Sequence, residues 1–250
     1  MSKVDRVGQT FVNNEGCQGV IEKYISSSEV YVRFPNCKNL IKTSYANCKR
    51  GEVKNPLYKS VYSVGFIGEG KYPTNGQYKK CYRTWKSMLE RCYLKDDTVG
   101  RRAYTDCVVC EEWHNYQNFA EWYENNYYEV KGEQMCLDKD ILVKENKIYS
   151  SKTCVFVPQT INKLFNKQAY QRGNLPIGVR YDSKRDKYYC DYTYKGKTKY
   201  IGSSTDVEQC FKMYKKCKEC LIKEVAREYE SVLPPQVYNA MCNYEVLITD

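Results

Sequence analysis

Three stretches of the chain carry side chains whose types and spacing could do chemistry. In residues 134–166, Gln134-Met135-Cys136-Leu137-Asp138-Lys139-Asp140-Ile141-Leu142 reads as a strand running into an acidic turn. Lys147-Ile148-Tyr149 leads through Ser150-Ser151-Lys152-Thr153, which suits a turn better than a helix. Cys154-Val155-Phe156-Val157 is a second strand ended by Pro158, and Gln159 to Phe165 reads as a short helix. A hairpin followed by a helix, with polar side chains aimed at one point, outlines a compact site for a metal ion and a phosphate. Asp140 could ligate metal or orient water there, although Asp in a turn commonly just satisfies backbone amides.

The second stretch, residues 178–200, sets Arg180, Lys184, Arg185, Lys187, Lys195, Lys197 and Lys199 against Asp182, Asp186 and Asp191. Strand side chains alternate, so part of this set must share one face with Tyr189 or Tyr192. A basic sheet studded with aromatics suits duplex DNA, with cations on phosphates and a few side chains on base edges. The plain alternative is a solvated sheet face. The third feature is cysteine, in the pairs Cys107/Cys110 and Cys217/Cys220. Structural zinc needs four ligands. Cys136, Cys154, His114 or Cys92 could complete the first pair, but the spacing matches no standard finger. The second pair lies in a charged helical stretch, Lys215 to Cys220, where an ordinary helix is the simpler reading.

The elements that must position these residues follow from periodicity. Residues 1–66 read as four or five short strands, among them Val20–Ile25 and Val30–Phe34, with Val30, Val32 and Phe34 on one face. Turn signals at Asn13-Asn14-Glu15-Gly16, Ser26-Ser27-Ser28 and Pro35-Asn36 separate them, and a small half-open β-barrel is expected. Gly65, Gly68 and Gly70 read as a flexible connection. From residue 78, Tyr82, Trp85, Met88, Leu89, Cys92 and Tyr93 recur at helical spacing. A polar loop, Lys95 to Arg102, precedes a second helix carrying Trp113, Phe119, Trp122 and Tyr123. These aromatic stripes read as core. Three strands, Ile177–Tyr181, Lys187–Tyr194 and Lys197–Gly202, then lead to a helix from about Val207 to Tyr229, which Pro234-Pro235 ends. The tail from Val237 is expected to order against another unit, through Tyr238, Met241, Tyr244, Val246 and Leu247. No internal repeat is apparent.

Composition narrows the class. With 42% hydrophobic residues, 7 prolines and 14 glycines in 250, the chain is globular rather than collagenous or wholly disordered. No apolar run approaches the ~20 residues of a membrane span, and Met1-Ser2-Lys3-Val4-Asp5-Arg6 lacks the apolar core of a secretory signal. A soluble, intracellular chain is the expectation, its 14 cysteines reduced and mostly buried as small hydrophobes. A net charge of +10 with 26 tyrosines favours a nucleic-acid partner, because cations neutralise phosphates and aromatic faces stack on bases. An acidic protein or a membrane surface would also suit the charge alone.

Gly178-Val179-Arg180-Tyr181, the strand Tyr188 to Tyr194, and Tyr200-Ile201-Gly202 before a helix resemble the Apetala-type DNA-binding domain. That domain also occurs in phage-type homing endonucleases, attached to a nuclease unit of the HNH class. The stretch Tyr82 to Tyr93, Val109-Cys110-Glu111-Glu112-Trp113 and Asn118-Phe119 are similar to the lead-in segments of phage HNH proteins. Leu137-Asp138-Lys139-Asp140, Tyr149 through Cys154, and Asn162 resemble the nuclease core. Together the resemblance spans about residues 78–230, and the ordered combination is more specific than any piece.

Periodicity and the resemblance together give an α+β chain: a β-rich domain at 1–66 and a tail at 231–250 from the pattern of residues, and, as the resemblance implies, a ββα HNH-like domain with lead-in helices at 78–170 and an Apetala-type reader at 174–230. Asp138 and Asn162 fall at the places of the metal ligands, which would hold Mg²⁺ or a similar divalent ion to stabilise charge on the phosphate. Lys139 falls where the family has its histidine base, with Asp140 beside it. This departs from the pattern, since a lysine ammonium cannot accept a proton unless burial or a neighbouring cation weakens its hold. His114, the only histidine, lies outside the hairpin. The reader would address double-stranded DNA through Arg180, Lys184, Arg185, Lys187, Tyr189, Lys197 and Lys199. The expectation is therefore a DNA-binding protein, cytoplasmic in a bacterial host if phage-encoded, that nicks or cuts DNA with a divalent metal. Its rival keeps the nuclease fold only to bind DNA or a host protein. Structural Zn²⁺ at Cys107 and Cys110 is a separate expectation.

Overall fold

A strand whose apolar side chains alternate buries one of its faces, and Val30, Val32 and Phe34 are each at most 1% exposed. The computed structural model describes residues 5–94, 104, 106–167 and 173–250. The expected polar loop Lys95 to Arg102 and the opening Met1 to Val4 lie outside the described residues. The architecture is α+β. The chain gathers into two units, Met1–Asn125 with Lys147–Ser151, and Asn126–Asn146 with Lys152–Asp250. The boundaries expected near 66–78 and 170–174 fall inside these units.

In the first unit, β1 (Thr10–Val12), β2 (Gln18–Ser26), β3 (Glu29–Arg33) and β4 (Ile41–Thr43) form an antiparallel meander in chain order. A half-open barrel is expected here, and the four strands do not close into a barrel. The three-residue β1 and β4 pair only with β2 and β3 respectively. The chain leaving β1 is instead held by the segment after α1 (Tyr45–Arg50): Asn14 N–H donates to Gly51 O at 2.8 Å, and Asn13 Nδ2 to Val53 O at 3.0 Å. Ile21, Val30, Val32 and Phe34 make the core with Cys37, Cys48 and Val53.

The helical period from residue 78 gives α2 (Lys79–Tyr93), which buries Cys81, Trp85, Met88 and Leu89. The aromatic stripes are core, as Trp85 Nε1 donates to Trp113 O at 2.7 Å and Trp113 packs edge-on to Phe119. The second helix is shorter than the sequence implies. Trp113 belongs to a 3-10 turn, Glu111–His114, and α3 runs from Tyr116 to Asn126. Asn115 breaks the run, its backbone extended and its Oδ1 accepting Gln117 N–H at 3.0 Å. Such side-chain-to-backbone bonds compete with helix continuation. Phe66 N–H donates to His114 O and Tyr116 N–H to Phe66 O, both at 2.9 Å. The glycine-rich connection is thereby fastened rather than free. Buried Gln117 ties it further, accepting Tyr72 N–H at 2.9 Å and donating to Tyr72 O at 3.0 Å, and a Cβ on Gly68 would overlap Asn115. β5 (Val108–Val109) and β7 (Ile148–Tyr149) pair in parallel in this unit.

The second unit begins with the hairpin β6 (Met135–Asp138) and β8 (Val155–Pro158), paired antiparallel from Met135↔Pro158 to Asp138↔Val155. Pro158 leads into the four-residue α4 (Gln159–Asn162) and a 3-10 turn, Lys163–Phe165. A three-stranded antiparallel sheet follows, in the order β11–β10–β9: β9 (Val179–Asp182), β10 (Lys187–Tyr194) and β11 (Lys197–Ser204). Lys195 and Gly196 both have positive φ, as the two-residue turn between β10 and β11 requires. α5 (Val207–Glu228), capped by Asp206 Oδ1 on Glu208 N–H at 2.9 Å, packs Cys210, Phe211 and Tyr214 under Val179 and Cys190.

α5 stops at Glu228, and the prolines expected to end it start another helix. Pro235 occupies the first turn of α6 (Pro235–Cys242), where its missing N–H costs nothing. Val237 and Met241 of α6 join Val155, Val157, Ile161, Ile222 and Val225 in one core, so the tail is ordered within its own unit. No described helix is long and apolar enough to cross a membrane. None of the 14 cysteines is in a disulfide. Cys37, Cys48, Cys81, Cys107, Cys154, Cys190 and Cys210 are buried, the others partly buried or, at Cys220, exposed.

Candidate nucleic-acid interface

At the hairpin, Asp138 closes the turn that follows β6. Its Oδ1 accepts Asp140 N–H and Ile141 N–H, each at 2.8 Å. Burial pushes the Asp138 carboxyl above its ordinary range despite those two amides. Lys139 is 6% exposed, and its ammonium donates to Asp140 Oδ1 and to Asn146 O, each at 2.6 Å. Asn146 Nδ2 returns a bond to Lys139 O at 2.8 Å, so lysine and asparagine clamp the loop reciprocally.

This geometry gives the residues expected at the catalytic site local structural partners. Lys139 is a proton donor in both bonds and is spent on holding the loop, and Asp140 is its counter-ion. Asp138 acts as a turn cap, and Asn162, at the end of α4, makes no hydrogen bond to it. A divalent ion prefers several free oxygens, whereas Asp138 Oδ1 already serves two amides. Among the described residues no group of three or more His, Cys, Asp or Glu could hold a metal ion.

Cys107 and Cys110, the pair expected to hold zinc, flank β5. Cys107 is buried, and burial pushes the Cys110 thiol up. His114 Nε2 lies 3.3 Å from Tyr93 Oη, an ordinary polar contact.

The sheet divides the residues expected to contact DNA. Arg180 stands opposite Tyr189 and Asp182 opposite Lys187; along β11, Tyr200 faces Asp191 and Thr198 faces Thr193. Directly opposed side chains share a face, so Arg180, Lys187, Tyr189 and Tyr200 belong to the outward side. Tyr200 is 61% exposed. Lys184 and Arg185 lie in the β9–β10 turn beside it.

Lys197 and Lys199 do not join this set. They oppose Tyr194 and Tyr192, whose rings pack onto the core, and therefore belong to the other side of the sheet. An alternation of 2 along the strand separates them from Tyr200, which the sequence alone did not resolve. Acidic partners temper the outward face: Asp191 lies 3.4 Å from Arg180, and Asp182 lies 3.8 Å from Arg185. Lys184 and Lys187 form no ion pair with any described residue.

Sequence reading missed Lys218. The buried stripe of α5 runs Tyr214, Lys218, Leu221, Ile222, Val225, and Lys218 is 8% exposed within it. A charge at three-and-four spacing inside an apolar stripe is a signal visible in the sequence. No protein-family model, no curated protein and no solved structure matches this chain.

Proposed function

We propose that the chain binds double-stranded DNA through the outward face of β9–β11 and does not cut it at the β6–β8 hairpin. The observation that carries the reading is the grouping of Arg180, Lys187, Tyr189 and exposed Tyr200 on one face, with Lys184 and Arg185 in the adjoining turn. Cations at the rim of a rigid sheet meet phosphates, and the side chains between them meet base edges or sugar. The core under Val179 and Cys190 holds the face in shape. The non-catalytic part of the reading is supported by the Lys139–Asp140 pair and the Asp138 cap, which commit to structure the groups a nuclease would need.

The test combines duplex binding with plasmid cleavage, each in Mg²⁺ and in chelator. Binding unchanged by chelator, with supercoiled plasmid intact, is the expected result. Nicking that requires Mg²⁺ and disappears in Asp138→Ala would overturn the non-catalytic part. Absence of any salt-sensitive affinity for duplex would overturn the whole.

A further inference from the structure

We propose that a second site in the same unit, the cleft between α5, the β10 edge and the turn after α4, binds a phosphate group with Lys218 as its buried cation. The cleft has a volume of 910 Å³, within the range of small-molecule sites. Its cations are Lys163, Lys167, Arg180, Lys195 and Lys218. Three of them are committed: Lys167 lies 3.0 Å from Asp250, Arg180 3.4 Å from Asp191, and Lys195 2.7 Å from Glu228. Lys163 and Lys218 have no ion-pair or hydrogen-bond partner for their ammonium groups among the described residues.

Of the two, Lys218 is the informative one. A lysine 8% exposed whose ammonium reaches only the cleft is desolvated at a cost that a leucine or methionine in the same stripe would not carry, and burial lowers its pKa to about 8. An anion entering the cleft would supply the missing partner, and a phosphate oxygen forms strong charge-assisted bonds with an ammonium. The neighbouring backbone is open as well. The β9–β10 ladder ends at Val179↔Cys190, followed only by Asp191 N–H to Gly178 O at 3.3 Å, so the β10 edge beyond it has no described strand partner on that side. Tyr192 lines the same space. The phosphate could belong to a free nucleotide or to a DNA backbone.

The site is tested by thermal unfolding of the full chain in chloride buffer, titrated at constant ionic strength with inorganic phosphate and with a nucleoside monophosphate. A saturable rise in the wild-type midpoint is expected, with apparent binding about ten- to hundred-fold weaker in Lys218→Met. No saturable rise, or an equal rise in the variant, would overturn the proposal. If Lys218→Met does not fold, the Nζ and Cε resonances of Lys218 in the wild-type chain must move with added phosphate, and their failure to move would overturn it too. A short duplex forms the last arm: weakened duplex binding in Lys218→Met assigns the phosphate to DNA, and unchanged binding assigns it to the free nucleotide. A wild-type chain that binds duplex but neither phosphate nor nucleotide would sink this site and leave the sheet interface standing. The converse would sink the sheet interface alone.

Discussion

Asp138 and Lys139 sit next to each other at the end of β6 and do different structural work. The carboxylate caps two amides, and the ammonium joins two chain segments. Asp138→Ala should therefore lower unfolding free energy by about 1–2 kcal/mol, while Asp138→Asn, which keeps an acceptor, should cost less. Urea denaturation of both variants measures this. Lys218 gives a pH-dependent expectation. An unfolded lysine keeps its proton up to its ordinary 10.5, the folded one only to about 8, so between those values the unfolded chain binds more protons and stability rises with pH. Lys218→Met should accordingly be more stable than wild type below pH 8 in phosphate-free buffer, by at most about 3 kcal/mol, with the gap closing towards pH 10.5. A pH series of denaturation curves reads it. The residue types of the hairpin were legible in the sequence, but their roles were not, because nothing in Asp138-Lys139-Asp140 says that Asn146 will return to clamp the lysine.

Elements were legible where local signals agree with packing. The β10 strand and the start of α5 fall where alternation, turn residues and the Asp206 cap place them. They were illegible where a distant segment decides. The break before α3 depends on Phe66 reaching the backbone of His114 and Tyr116, some fifty residues along the chain. Pro234-Pro235 can close one helix or open the next, and the apolar Val237 and Met241 decide in favour of opening. The join between sheet and helix yields a sharp expectation. Gly178 has φ +74°, and a Cβ there would overlap the Tyr214 ring. Gly178→Ala should destabilise by about 2–4 kcal/mol through backbone strain and overpacking together, seen as a lower thermal midpoint. Because this glycine precedes β9, DNA affinity should fall with it.

Across the molecule, a net charge of +10 suits a polyanion without saying where one would lie. Strand register supplies the address, since it puts Arg180 and Lys187 on the outward face and Lys197 and Lys199 on the other. Neutralising Lys197 and Lys199 together should leave duplex affinity nearly unchanged in fluorescence anisotropy, although charge counting alone treats them as equal to the other pair. The most direct measurement is duplex affinity over a range of salt for wild type and for Arg180→Glu with Lys187→Glu. The account predicts weaker binding in the double variant and a log–log salt slope shallower by about 2, one unit for each phosphate that is no longer neutralised. Unchanged affinity and an unchanged slope would mean that DNA, if it binds at all, does not meet this face.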